Sequence, residues 1–443
     1  MAKRNILFQG ATILTMDERV PNLTTGDILV RGDHIEEIAP NIQVDEAEVI
    51  DAKGCIILPG FIDAHHHVWL GVQRRVMPDC ADLFAYIDLV AEKIGSKYRP
   101  LDTYLSTKLT ALASLDAGIT TLLDAAHNTR GPEHSDASLD ALRDSGIRAL
   151  HMVGAPMDKQ FTDGHLPGDL KRLAKRWNHA YGLVQVGYFG HLKFKLDEFE
   201  VARRLDMRVL FEMVGDYNKL PPEFAKPGLL GPHTIFNHCA RLPQDTWKVF
   251  AEAGVNVTVN PRSDVLFGFD DERFAYQEAI DHGFKPGLGI DVETTYGSDM
   301  FGEMHALFHQ QRAAMRYRVL RGEPNVPAPI TVEAVLQAAT VNGARVTGLE
   351  HAIGTLAPGK KADLIMVRTD SIAVFPVTNA VAAVVQAVER SDIDTVMVAG
   401  SFRKRGGKLV DVDVPKLRRD VEASRQWLAE VSGHHPDLFK TTA

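Results

Sequence analysis

Pro59-Gly60-Phe61-Ile62-Asp63-Ala64-His65-His66-His67 is the stretch on which the fold turns. A Pro-Gly turn opens a short apolar run that ends in three histidines. On an extended strand alternate side chains share a face, so His65 and His67 point together while His66 points elsewhere. Two imidazoles at i and i+2 make a chelating pair for a borderline metal such as Zn²⁺. An incidental polar His run would sit poorly behind so apolar a strand. Before this stretch no helical period appears: residues 5–16, 27–30 and 35–39 read as strands separated by turns. After it, strand-like runs at 61–65, 120–125, 149–153, 183–187, 208–214, 234–238, 256–260 and 287–291 alternate with amphipathic helical runs, such as 103–117 and 246–253. Strand–helix alternation of this length predicts an α/β fold, a (β/α)₈ TIM barrel.

Past Gly354 the chain turns β-rich again, with strands expected at 362–368, 381–388 and 395–398 and a hairpin turn at Gly406-Gly407. The basic run Arg403-Lys404-Arg405 reads as the tip of that hairpin. The N-terminal strands are too few for a stable sheet alone. Both chain ends are therefore expected to join in one small β-sandwich beside the barrel. The expected organisation is residues 1–58 and 353–413 for the two parts of the sandwich, 59–352 for the barrel and 414–443 for a tail with a helix at 416–431.

Composition narrows the function. The chain has 443 residues, with 49 Lys+Arg against 58 Asp+Glu, a net charge of −9. That balance argues against nucleic acid as a partner, since phosphate neutralisation needs clustered Lys and Arg. The three cysteines, Cys55, Cys80 and Cys239, have no CxxC spacing and cannot build a disulfide framework, which points to a reducing, cytoplasmic setting. No apolar stretch of about 18 residues suggests a membrane span, and the first residues lack the apolar core of a secretory leader.

Active sites of this architecture gather at the C-terminal ends of the strands. Three more motifs fall there. His238 ends the apolar run Thr234-Ile235-Phe236-Asn237, and Asp291 ends Gly287-Leu288-Gly289-Ile290. An Asp there can bind metal and accept a proton, or simply cap a helix. Asn260, Arg262 and Asp264, in Val259-Asn260-Pro261-Arg262-Ser263-Asp264, can grip a polar substrate or form a plain turn. His127 and His191 follow strands two and four, where side chains can line a pocket, and Trp69 and Gln73 are candidates for its wall.

The Pro-Gly-Phe-Ile-Asp-Ala-His-His-His spacing, His238, the 260–264 segment and Gly287-Leu288-Gly289-Ile290-Asp291-Val292-Glu293 resemble the amidohydrolase superfamily. The likeness is strongest to its aminohydrolase and chlorohydrolase branch, which holds cytosine, guanine and S-adenosylhomocysteine deaminases and triazine hydrolases. The tail Ile353-Gly354-Thr355-Leu356-Ala357-Pro358-Gly359-Lys360-Lys361-Ala362-Asp363-Leu364 is similar to the segment that returns such chains to the sandwich. The resemblance implies His65, His67 and Asp291 as metal ligands, with Asp291 also shuttling a proton. It implies that His238 hydrogen-bonds the attacking water or a substrate oxygen, and that Arg74 binds substrate from the loop after strand one. It also implies one divalent ion, zinc first with iron, manganese or cobalt as alternatives, a small-molecule substrate and a homodimer or larger assembly.

The fifth strand departs from the pattern. Members of the branch carry a His ligand there and, three residues on, a Glu that protonates a ring nitrogen. This chain has Glu212 in place of the His and Gly215 in place of the Glu. No Lys ends strand four, which argues against a carboxylated-lysine binuclear centre. Three readings stay open: Glu212 ligates the metal; His238 ligates and Glu212 is the general acid/base; or the site is degraded and binds without catalysis. The expected activity is hydrolysis of a non-peptide C–N bond, most simply deamination of a nitrogen heterocycle, amidine, urea or carbamate. A metal-dependent decarboxylase is the alternative chemistry.

Overall fold

All eight barrel strands are extended in the structure, a computed structural model that describes residues 5–158, 165–166, 168–179 and 182–440. They are Phe61–His66, Ile119–Ala126, Arg148–Val153, Val184–His191, Val209–Val214, Thr234–Ala240, Asn256–Val259 and Gly287–Leu288. Each pairs in parallel with the next in chain order. Strands flanked by helices on one side and a filled interior on the other are buried on both faces, which is why these segments read as near-continuous apolar runs. An interior cluster of Ala64, Leu123, Leu150, Met152, Phe189, Leu210 and Ile235 fills the barrel, so it is a packed core and not a pore.

Closure rests on very little backbone. The eighth strand has two residues, and the segment just past it meets the first strand at a single bridge, His66 with Asp291. Around it the His67 N–H donates to the Asp291 carbonyl at 2.8 Å and the Asp291 N–H donates to the His65 carbonyl at 2.9 Å. Gly289 makes this approach possible: a Cβ there would lie 2.2 Å from Asn260 Oδ1 and 2.7 Å from the His65 Cβ.

Both chain ends build a second, nine-stranded mixed sheet. The N-terminal Asn5–Ile13 lies at its middle and pairs with Leu23–Arg31, Glu48–Asp51 and Cys55–Pro59. Cys55–Pro59 then takes Leu364–Arg368 from the other end of the chain antiparallel. Ile393–Val398, Ser401–Arg405 and Lys408–Leu409 continue outward. At the N-terminal end of the barrel, buried Arg148 pairs with Asp363 through two contacts of 2.7 and 3.0 Å and ties this sheet to the third strand. The end that carries the site is left free of it.

Two expectations need correction. Residues 381–388 are not a strand: Ala380–Gln386 is a helix, N-capped by Asn379, whose side chain accepts from the Ala382 N–H at 2.8 Å. The cap and the alanines outweigh the β preference of the interspersed valines. The run Arg403-Lys404-Arg405 is not the hairpin tip either. It lies within a strand, and Lys404 is buried with its ammonium 3.0 Å from Asp116. The turn itself is Gly406-Gly407, both at positive φ. The C-terminal helix, Val414–Ser432, packs on Pro100–Asp116, where the Ser424 hydroxyl donates to buried Asp102 at 2.6 Å. Among the described residues no helix is long and apolar enough to cross a membrane.

Candidate metal centre

Four strand ends bring five residues to one point. His65 comes from the first strand and His67 from just past it, Glu212 from the fifth, His238 from the sixth and Asp291 from just past the eighth. All five are buried. His65 Nε2 lies 3.2 Å from Asp291 Oδ1 and 3.3 Å from Glu212 Oε1; His67 Nε2 lies 3.2 and 3.4 Å from the same two oxygens. His238 Nε2 stands further out, 4.0 Å from Glu212 Oε1. Donor atoms of His65, Glu212, His238 and Asp291 lie within 4.8 Å of one another.

These distances test whether the residues fit a metal. A tetrahedral shell with bonds of about 2.0–2.1 Å separates neighbouring donors by about 3.3–3.4 Å. The four closest atoms match that spacing. Buried polar atoms nearly always have a hydrogen-bond partner, yet His65 Nε2, Glu212 Oε1 and Asp291 Oδ1 have none, although they face one another. Lone pairs turned inward around a common point, with two carboxylates among them, suit a dication. Glu212 supplies the donor that the pattern assigns to a histidine.

Outer partners fix the side chains of His67, Glu212, His238 and Asp291. His67 Nδ1 donates to the Ala125 carbonyl at 2.8 Å, which leaves Nε2 as the lone pair aimed at the centre. His238 Nδ1 donates to Asp264 Oδ1 at 2.6 Å and so presents Nε2 inward in the same way. Ser263 donates to Asp291 Oδ2. Glu212 Oε2 takes His191 Nε2 at 3.0 Å. Asp63, within the opening motif, receives the backbone N–H groups of His65 and Ile290 at 3.3 and 3.0 Å and pairs with His66 Nδ1 at 2.8 Å. His191, His238 and Asp291 all hold positive φ, a costly backbone state for non-glycine residues that collects at functional sites.

Electrostatics follows from the burial of these groups. Burial opposes ionisation of Glu212 and Asp291, but the neighbouring histidines more than offset it and hold both carboxyls well below their usual range. Burial lowers His67, but Asp291 and Glu212 raise it overall to about 10; burial likewise lowers His238, but Asp264 raises it to about 9. The carboxylates thus demand positive charge, which protons supply unless a metal displaces them. His191 goes the other way, down to about 4, because burial dominates the pull of Glu212. His127 is pushed well below its ordinary value by burial and by His67 and His191.

Above the centre a cavity is lined by His67, Glu212, His238 and Asp291, by His127 and His191, and by a largely apolar wall that includes Leu83, Tyr86, Tyr217, Phe267 and Phe269. Of the substrate-contact candidates, His127 and His191 reach this cavity. The others do not line it. Trp69 packs edge-on behind His127, with ring centroids 5.2 Å apart. Gln73 donates to the Tyr98 hydroxyl at 3.2 Å. Arg74 is bound by Glu293 at 2.7 Å, and Arg262 by Glu303 and the carbonyls of Gly297 and Asp299. Asn260 donates to Asn237 beneath the site, and Asp264 backs His238. Sequence reasoning passed over the aromatic wall. Phe267-Gly268-Phe269 carried a weak signal, two rings flanking a glycine after a strand end; Tyr86 carried none, because residues 87–94 form a π-helical turn that blurs the helical period.

The comparisons agree with this geometry. Residues 209–409 match the amidohydrolase family model. A 5-methylthioadenosine/S-adenosylhomocysteine deaminase of Acetivibrio thermocellus is 27% identical over 94% of this chain and 98% of its own. A 5′-deoxyadenosine deaminase of Methanosarcina acetivorans is 24% identical over 96% and 98%. Among solved structures, the atrazine chlorohydrolase of Arthrobacter aurescens TC1 complexed with zinc superposes with a TM-score of 0.83 at 21% identity, covering 95% of this chain and 100% of the other. A zinc-bound adenosine deaminase from Xanthomonas campestris gives 0.82 at 19%, covering 97% and 99%. With its barrel and the buried donor cluster at the strand ends, the chain is similar to the amidohydrolase family, whose model matches residues 209–409.

Proposed function

We propose that the protein is a zinc-dependent deaminase of a nitrogen heterocycle, with His65, His67, Glu212 and Asp291 holding the ion. The observation that carries this reading is the set of orphaned donor atoms at 3.2–3.4 Å spacing. It favours Glu212 as a ligand, and an intact donor set argues against a degraded site. A bound divalent ion supplies Lewis acidity, which makes water nucleophilic near neutral pH.

The chain's own residues do the rest. Asp291, with Oδ2 held by Ser263, takes the proton of the attacking water and delivers it toward the leaving amine. His238 stands outside the closest four, and its hydrogen bond to Asp264 fixes it where negative charge develops on the attacked carbon's oxygen. His127 donates from Nδ1 to Ala125 in a long 3.4 Å bond and so turns a neutral Nε2 acceptor to the cavity, suited to an amino N–H. The largely apolar wall is of the kind that packs against a flat ring and disfavours water. Deaminase names among the relatives support an adenosine-like amine. Three unpaired cysteines, two of them buried, fit a reducing compartment.

The test is a zinc-reconstituted screen of 5-methylthioadenosine, S-adenosylhomocysteine, 5′-deoxyadenosine, aminotriazines, ureas and carbamates, monitored for ammonia. Release that stops on chelation and returns with zinc is expected. Stoichiometric metal with no ammonia from any of these compounds would overturn the reading.

A further inference from the structure

The fifth strand has no room for the proton donor that the family pattern places three residues beyond its ligand. A Cβ at Gly215 would lie 2.1 Å from the Arg241 carbonyl oxygen and 2.9 Å from its carbon, a backbone contact that cannot swing aside. The donor is therefore excluded by packing and not merely absent. Glu212 does not replace it, because Oε1 faces the ligand set and Oε2 is engaged by His191.

Other polar groups of the cavity are also committed. His191 gives Nε2 to Glu212, His238 gives Nδ1 to Asp264, and His127 presents an acceptor. Tyr217 is more than a third exposed. Among the described residues one buried hydroxyl is left. Tyr86 lines the cavity at 3% exposure, and its Oη has no hydrogen-bond partner. The ring is held edge-to-face on Phe267, with centroids 5.6 Å apart. It sits where the short helix Leu83–Tyr86 passes into the π-helical turn Ile87–Ile94, a distortion frequent at functional sites. Burial, then the charges of Asp291 and Glu212, push this phenol well above its ordinary value. The hydroxyl thus lies within the field of both carboxylates and keeps its proton.

We propose that Tyr86 is the missing donor: its hydroxyl hydrogen-bonds the ring nitrogen beside the attacked carbon and steadies it as that carbon becomes tetrahedral. A buried hydroxyl left unpaired in the free protein is a cost that a substrate acceptor removes. The donor of the family's fifth strand is thereby relocated to the segment after the first. No net proton transfer from the phenol is required, so the group acts as a neutral hydrogen-bond donor. The inference rests on the deaminase reading for the identity of the ring.

The test uses full-length, zinc-loaded wild type and Tyr86→Phe. Calorimetry compares purine riboside with its 1-deaza analogue, in which that ring nitrogen is a C–H; neither has an amino group to lose. Ammonia release from 5′-deoxyadenosine is measured in parallel. Wild type is expected to bind purine riboside about tenfold or more tightly than the analogue, and Tyr86→Phe to bind both alike. Its kcat/KM on 5′-deoxyadenosine should fall about tenfold or more at unchanged zinc content. Because the lost hydroxyl has no protein partner, Tyr86→Phe should melt no lower than wild type, an outcome that a structural role would not give. A variant that keeps the wild-type discrimination, or that melts lower, overturns the proposal, as does a wild type that binds neither compound. If wild type binds purine riboside but releases no ammonia, the deaminase reading falls while the binding ratio still decides the role of Tyr86.

Discussion

The two walls of the candidate metal centre are built by different means. On the seam where the first and eighth strands meet, His65, His67 and Asp291 are set mainly through backbone groups: two reciprocal hydrogen bonds join the strands, and the Asp63 carboxylate receives two backbone N–H groups beneath them, with Ser263 on the outer oxygen of Asp291. On the opposite wall Glu212 is set by side chains, with His191 on its outer oxygen and Asn218 latching its carbonyl at 2.8 Å. A ligand fixed by backbone cannot change type without the strand end changing with it. A ligand fixed by a neighbouring side chain can be exchanged if one partner adapts. The departure from the family pattern lies on that second wall, and His191 is the partner that supports it.

Removing the seam ligands should have the largest effect. His65→Ala or His67→Ala is expected to abolish stoichiometric metal and turnover while circular dichroism shows a folded barrel. The loss should exceed by far the about 10–100-fold that outer partners cost. Mass-spectrometric metal content unchanged in both variants would break the seam assignment.

Glu212 sharpens the contrast. Glu212→Gln should weaken zinc affinity by about 100-fold or more, and His191→Phe by about 10–100-fold, since it removes only the outer partner. Glu212→His should retain zinc, because the position then carries the histidine that the pattern assigns to it. Full zinc binding by Glu212→Gln with lost turnover would return Glu212 to the acid/base role.

How far the sequence could be read follows the same division. Strand periodicity and the i, i+2 histidines are local, so the barrel, His65 and His67 were legible, and His238 and Asp291 followed from their places at strand ends. Glu212 was visible as an exception, but its function was not, because that depends on which of its oxygens meets His191. Arg74 and Arg262 looked like substrate grips because nothing local announces that Glu293 and Glu303, distant in sequence, engage them. Tyr86 and the Gly215–Arg241 contact are tertiary facts with no local pattern at all.

Glu293 offers a pH test of the seam alone. It lies two residues past Asp291 and binds Arg74, Thr110 and Ser298, clasping the loops after strands eight and one to the helix Pro100–Asp116. Burial opposes its ionisation, but the charges of Arg74 and His66 hold it down at about 2, against an ordinary 4.5. A depressed carboxyl stabilises the fold above its unfolded pKa, and that contribution fades as the pH falls from about 4.5 toward 2. Its size is on the order of 3 kcal/mol, at about 1.4 kcal/mol for each of about 2.5 pH units. Glu293→Gln should therefore lower stability at pH 7 and show a shallower loss between pH 4.5 and 2 than wild type, measured by denaturant melts of both proteins. Parallel curves would remove the clasp from the seam.

The smallest effect should come from Gln73, which the sequence placed in the pocket wall. Its amide is turned to the Tyr98 hydroxyl, which in turn donates to the Trp69 carbonyl at 3.3 Å. That chain runs behind His127, on the far side of the ring from the cavity. Gln73→Ala removes one neutral hydrogen bond and some buried methylene, a stability loss of about 1–2 kcal/mol. The metal, the acceptor of His127 and the cavity volume are untouched, so kcat/KM should stay within about twofold of wild type. A tenfold loss would mean that the loop after the first strand reaches substrate through Gln73. The wall opposite Glu212 would then be shaped by side chains too, and the division between a backbone-built seam and a side-chain-built wall would no longer hold.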